Sequence, residues 1–590
     1  MKRKSLISAL ALLYFAVNLS GPVCAQNAQN DTTKTPPEAL DTNFKALLDE
    51  LHRSLKLLRL PGHDAPYFLA YNLYESIDFS VEGVLGAITT RTGKQDRSLY
   101  PIVRVGSYKL DNTNFDSTDY AEVSSTKSDT TPIDENYMAL RKSVWLSTDL
   151  KYKQAVKYLE EKKALMLERN VNSALDDFSP APPFNLLNKA RSMNLNKDVW
   201  TDRVRELSSV FLEFPMLRNS WVRFDERVLN LWLVNSESTI ARNGEISARY
   251  QAFASIQTKE GEVISDGLEA LARDENNLPS VDQMKEEIRG LGKRLTQLVQ
   301  APQGEDYDGP VLFEGQAAAE FLASTLAPNI VAKRDHLSNF SNTVISTNPL
   351  GRKMNKRIMP TFLSLIDDPY LRTWKGKQLF GGFEIDEEGV QPQKIDIVQN
   401  GELKAFCSGR TPTKFTKATN GHGVISDDTA QNSVLLLTSS KTNSNKDLLK
   451  MLRRLGEESG LSYVIVVRRM DNTQREAFSS DDLNASFALN SSSSTTINLP
   501  SPIIVFKVDT RSGKEEQIRG VKFAPTNIRV LKDIVAAGND TDAYAVEQTS
   551  NNYAHLVTPS LLVRDIEMVK SEAPSQKPPV TPSPLMSIQK

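Results

Sequence analysis

The sequence predicts an α+β chain of two domains, an N-terminal sheet carrying long helices followed by a β-rich C-terminal domain. Three observations lead there. Val281, Met284, Ile288, Leu291, Leu295 and Leu298 recur at helical spacing, while Trp221 to Val234 and Glu245 to Gln257 in the same half read as long strands. Leu379 to Val424 is punctuated as strands and turns throughout, with Asn400-Gly401 as a two-residue hairpin. Pro302, Gly304 and Asp308 break the pattern between the halves and make residues 301–308 the linker. At 590 residues the chain is also too long for one ordinary core.

Residues 1–25 read as a secretory signal: Lys2, Arg3 and Lys4, then the apolar run Leu6 to Val17, then Val23-Cys24-Ala25 before Gln26. The expectation is an exported protein, periplasmic or extracellular, with no membrane span once the signal is removed. A lipid anchor would use Cys24, but Pro22-Val23 lacks the small residue expected before such a cysteine. Residues 26–41 are polar and predict a disordered leader.

The N-terminal domain, 42–300, opens on an amphipathic helix from Thr42 to Leu58, striped by Phe44, Leu47, Leu48, Leu51, Leu55 and Leu58. Three strands follow, Tyr67 to Tyr74, Phe79 to Thr90 and Leu99 to Tyr108, separated by Gly, Asp and Ser turns. Tyr137 to Ala164 is helical, with Tyr152, Ala155, Val156 and Leu159 on one stripe, and Trp200 to Phe214 is a further helix. The turn Arg242-Asn243-Gly244 separates the two long strands. Ser280 and Gln283 stand in capping-box positions before the Val281 stripe.

The C-terminal domain, 309–572, contains the short strand Phe383 to Ile385 and an acidic turn, Asp386 to Gly389. Lys394 to Val398 is the next strand, and Leu403 to Cys407 returns after the hairpin. Leu448 to Glu458 is a helix and Tyr463 to Arg468 a strand. Ser479 to Ser501 reads as an exposed insertion and 573–590 as a disordered Pro-rich tail.

With 71 basic and 73 acidic residues the chain has no general polyanion-binding character, and nucleic acid is not an implied partner. Of its two cysteines only Cys407 survives signal removal, so no intrachain disulfide is expected.

The run Leu379 to Val424 closely resembles the C-terminal domain of the TldD/PmbA family, whose members carry an Asp-Glu-Gly turn, a strand, an Asn-Gly hairpin and a Gly-rich loop in this order. The resemblance extends to Gly309 to Glu320, Gly520 to Phe523 and Thr558 to Val563, with weaker similarity around Leu231 to Asp266. It implies a C-terminal β-rich TldD/PmbA-like domain related to metallopeptidases. Catalytic members are expected to hold zinc with a His-Glu-x-x-x-His helix and a later cysteine. Here Leu312 to Phe321 contains no histidine: the ligand positions fall on Phe313 or Glu314 and on Ala318 or Ala319. The later region, Thr549 to Leu556, offers only His555. Glu314, Ala318, Ala319 and Glu320 therefore mark a degenerate metal-motif helix, with no catalytic residue, no metal and no cofactor expected.

Gly315 and the loop Asn420, Gly421, His422 and Gly423 are groove candidates, because small residues let a bound backbone come close. The leading expectation is an exported, non-catalytic peptide-binding or partner subunit, paired with a TldD-like paralogue or with itself and taking an extended peptide. The alternatives are an active metallopeptidase with an unrecognised ligand set, the one reading that calls for zinc, and a secreted structural or interaction protein. Cys407 and His422 are the minimum parts of a cysteine nucleophile, but strand alternation points to an inert core thiol. Asp386, Glu387 and Glu388 read as a solvated turn rather than a cation site.

Overall fold

Thr42–Leu57 forms α1 and buries the predicted stripe through Phe44, Leu47 and Leu51. The computed structural model describes residues 40–117, 129–171, 175–338, 348–425, 429–470, 496–549, 552–572 and 579–587. The expectations for the signal, for the leader up to residue 39, for 479–495 and for the tail at 573–578 and 588–590 lie outside the described residues.

Two 19-residue strands, β1 (Pro66–Val84) and β2 (Ala87–Val105), form one hairpin that turns at Leu85 and Gly86, both at positive φ. The expected three strands merge into two because Glu75 lies opposite Arg97 and accepts its Nε–H at 3.0 Å. A charge neutralised across the ladder needs no turn to reach water.

α2 (Tyr137–Glu168) packs with α1 over this hairpin, and α3 (Lys197–Ser209) ends in a 3-10 turn, Val210–Glu213. β3 (Asn219–Asn235), β4 (Ile240–Gln257) and β5 (Val263–Ala272) complete an antiparallel order β2-β1-β3-β4-β5. The β3–β4 turn is at Asn235–Thr239, where Asn235 Oδ1 accepts the N–H groups of Glu237 and Thr239, both at 3.0 Å. The expected turn at Asn243-Gly244 lies inside β4, paired with Leu231 and Asn230. Gly244 serves a close approach instead: a Cβ there would sit 2.6 Å from Asn230 Oδ1. α4 (Val281–Leu298) carries the predicted capping box, both Ser280–Gln283 bonds being present. It buries Met284, Ile288 and Leu291 with α3 against the sheet, where Trp200 stacks on Phe224.

The C-terminal part has two sheets around a short helix. Its elements are β6 (Tyr307–Phe313), α5 (Gln316–Thr325), β7 (Leu363–Asp367), β8 (Ile395–Gln399), β9 (Leu435–Ser439), α6 (Asn445–Glu458), β10 (Tyr463–Met470), β11 (Pro502–Asp509), β12 (Asp542–Thr549), β13 (Asn552–Thr558) and β14 (Leu561–Lys570). One sheet runs β8-β7-β9-β13-β12, extended at β8 by Glu402–Leu403; the other has β11-β10-β6-β14 at its centre. α5 lies in the apolar core shared by both sheets, and α6 covers the outer face of the second through Leu448 and Leu452. The α+β class and the β-rich second half are as the sequence predicts.

Within the central run, Asn400 and Gly401 both take positive φ at the predicted hairpin. The returning strand is only Glu402–Leu403, and Phe383 to Ile385 is not a strand. Ile385 packs instead against Leu233 and Ala241 of the N-terminal sheet. Thr42–Lys590 is one compact unit. Among the described residues no helix is long and apolar enough to cross a membrane.

Candidate functional site

α5 starts at Gly315, whose φ of +55° turns the chain out of β6. Ala317, Ala318 and Ala319 are completely buried in the two-sheet core. Phe313, at the other expected ligand position, is also buried and stacks on Phe321 at 4.8 Å. Neither methyl nor phenyl groups offer a lone pair, so this helix does not fit a peptidase zinc. Its two carboxylates are committed elsewhere. Glu314 accepts the Arg468 Nε–H at 2.8 Å, and Glu320 accepts from Met470 N at 2.7 Å and Gln316 Nε2 at 3.0 Å. His555, the only imidazole near the late ligand position, accepts the Phe380 N–H at Nδ1, 2.9 Å. Burial lowers its pKa to about 4, so it stands neutral in the fold.

The loop Asn420 to Gly423 is approached closely by backbone, but the backbone is the chain's own. Gly421 has φ +76°, and a Cβ on it would lie 2.3 Å from Gln391 O and 2.6 Å from Pro392 Cα. Gly423 is filled in the same way by the Glu388 side chain. Asn420 O accepts from Gln393 N at 3.0 Å, and His422 N donates to Ser408 O at 3.2 Å. Gly421, His422 and Gly423 are buried.

The acidic turn is also interior rather than solvated. The Asp386 carboxylate accepts backbone N–H groups from Glu388 (3.0 Å), Val390 (2.8 Å) and Gly423 (2.8 Å), and Glu387 accepts from Ile425 N at 3.0 Å. Burial, then the neighbouring Glu388 carboxylate, push the Asp386 carboxyl well above its ordinary range, and the N–H donors oppose this. Asn72 on β1 donates to Glu387 O at 2.8 Å, and buried Arg410 pairs with Glu237 at 2.7 Å, lying over Phe178 and Phe68. These contacts join the N-terminal sheet to the C-terminal loops.

The structure brings Cys407 and His422 together through a residue that sequence reasoning did not single out. Asp367, at the end of β7, lies 3.1 Å from His422 Nε2 and accepts from Cys407 Sγ at 3.4 Å, from Ser433 N at 2.8 Å and from the Ser433 hydroxyl. All four side chains are fully buried. Burial, then the adjacent Asp367 carboxylate, hold the Cys407 thiol well above its ordinary range, so it is not a poised nucleophile. The signal for Asp367 was present: Leu363, Leu365 and Asp367 share one strand face, and a carboxylate in an apolar phase requires partners.

Two sheets enclosing a helix, with an interior acidic turn and hairpin, make up the C-terminal part. Residues 306–480 match the family model of the PmbA/TldA metallopeptidase C-terminal domain. Over this stretch, under a third of its length, the chain is a member of the TldD/PmbA family. A protein of Archaeoglobus fulgidus named as a metalloprotease is 28% identical over 137 residues, which is 23% of this chain and 28% of that protein. The matched stretch is thus under a third of that relative's length. Among solved structures, a candidate modulator of DNA gyrase from Thermotoga maritima is similar with TM-score 0.57 and 16% identity, over 89% of this chain and all of that one. TldE from Thermococcus kodakarensis is similar with TM-score 0.56 and 14% identity, over 89% of this chain and 100% of its own. Likeness at these identities is likeness of fold.

Proposed function

We propose that this chain is an exported, non-hydrolytic member of the family that acts as the partner subunit of a TldD-like paralogue. One observation carries the reading: the helix expected to hold zinc is built here as core, with Phe313, Ala318 and Ala319 buried where ligands would project. Water activation by zinc needs donor atoms and an open coordination position, and these side chains supply neither. The leader-like residues 1–25 support export. The solved TldE neighbour is compatible with a paired arrangement. In this reading an extended peptide adds to a strand edge, such as that of the terminal strand β12, instead of entering the Asn420 to Gly423 loop.

Co-expression with a paralogue carrying an intact His-Glu-x-x-x-His helix tests the proposal. The two chains should co-purify from the exported fraction and hydrolyse peptides together, whereas this chain alone should not. Self-association alone, with the paralogue's activity unaltered, would contradict the partner role.

A further inference from the structure

The cluster at the end of β7 has the donor set of a metal centre distinct from the helix α5. Asp367, Cys407 and His422 each offer one ligand atom, and the three atoms lie within 4.8 Å of one another. His422 Nε2 lies 3.1 Å from Asp367 Oδ1 and Cys407 Sγ 3.4 Å from Asp367 Oδ2, so imidazole and thiol face the two oxygens of one carboxylate, within reach of an ion with bonds of about 2.0 Å to nitrogen or oxygen and about 2.3 Å to sulfur. The Ser433 hydroxyl lies against the same carboxylate and provides an oxygen for a fourth position.

The orientation of His422 is the second observation. Its Nδ1 faces Asn420 O and Asn420 Oδ1, both at 3.1 Å. The Asn420 amide is fixed, since Oδ1 accepts from Ser408 N at 2.7 Å and Nδ2 donates to Phe406 O at 2.8 Å. Nδ1 therefore meets only acceptors and must carry hydrogen. In a neutral imidazole that leaves the Nε2 lone pair aimed at a carboxylate oxygen. Such a contact is repulsive unless a second proton or a cation lies between them. A ring nitrogen tied to a carbonyl, with the other turned towards ligand oxygen and sulfur, is the usual outer arrangement of a metal-binding histidine.

We propose that Asp367, Cys407 and His422, with Ser433 beside them, bind a divalent zinc-type ion as a structural centre. A thiolate and a carboxylate balance the charge of the ion, so the loaded site is neutral inside the protein. Sulfur with imidazole and one carboxylate favours zinc over magnesium or calcium. The ligands come from the end of β7, the chain after the hairpin and the Gly-rich loop, so the ion would tie that loop to the sheet. The centre is closed to solvent, which places loading at folding and excludes substrate. This assignment does not depend on the proposed partner role.

The test uses the full chain with Cys24→Ser, in which Cys407 is the only thiol. The protein is produced or refolded with zinc, desalted and analysed for metal and by X-ray absorption at the zinc edge. Near-stoichiometric zinc with one sulfur scatterer at about 2.3 Å is expected. Cys407→Ser and His422→Gln should each lower the retained zinc at least tenfold. Folded parent protein without zinc would overturn the proposal, as would zinc whose spectrum contains no sulfur, a result independent of whether the variants fold.

Discussion

Replacing Gly421 by alanine asks whether the Asn420 to Gly423 loop is a groove wall or part of the interior. The residue sits at φ +76°, where an L side chain costs about 1–2 kcal/mol. The new Cβ would lie 2.3 Å from Gln391 O and 2.6 Å from Pro392 Cα, both backbone atoms that cannot rotate aside. Relief requires the loop to move away from residues 391–393, which strains the bonds Gln393 N to Asn420 O and His422 N to Ser408 O. At about 1 kcal/mol for each bond, added to the backbone strain, the expected loss is ~3–4 kcal/mol. Gly376→Ala is the control: its φ is +83°, but nothing lies within 4 Å of its Cβ, so only the strain remains. Urea unfolding of both variants and the parent measures the difference. A Gly421→Ala midpoint equal to that of Gly376→Ala would mean that the loop yields freely, and the peptide-groove reading would return.

Three further outcomes follow from the interior contacts. His555 is held neutral, with a pKa of about 4 in the fold against an ordinary value near 6.5; stability is therefore full above about pH 6.5 and falls as pH drops towards 4, by roughly 3 kcal/mol at most. His555→Gln should flatten that decline in pH-dependent unfolding, and an unchanged slope would place its origin elsewhere. Arg410→Met leaves Glu237 without its buried partner and should cost about 3 kcal/mol, with faster limited proteolysis between the two halves; stability equal to the parent's would contradict the bridging role. Cys407 should react with a thiol reagent only after denaturant is added, and rapid native labelling would show that the cluster opens to solvent.

Local rules were legible in the sequence where one element decides its own form. The stripe Val281 to Leu298, its Ser280 cap and the Asn400-Gly401 hairpin needed no information from the rest of the chain. They failed where a distant partner decides. Asn243-Gly244 has turn chemistry, yet the close approach of Asn230 keeps it in a strand, and the turn forms where Asn235 can cap it. Glu75 looks like a break until Arg97 is placed opposite. Asp386 and Glu387 read as solvated because two of the donors that hold them inside, the N–H groups of Gly423 and Ile425, lie more than thirty positions away. Asp367 escaped notice for the same reason: His422 and Cys407 are 55 and 40 residues distant. The absence of imidazoles from α5, in contrast, is a matter of residue identity and was readable directly.

The proposed lack of zinc hydrolysis at α5 is tested most directly by peptide turnover of the purified chain with added zinc, comparing the parent with Glu314→Gln. Glu314 is the one carboxylate at the head of that helix, and its Oε2 accepts from Arg468 Nε. No turnover above buffer is expected from either protein. Zinc-dependent hydrolysis by the parent that disappears in Glu314→Gln would contradict the non-hydrolytic assignment and restore an active peptidase.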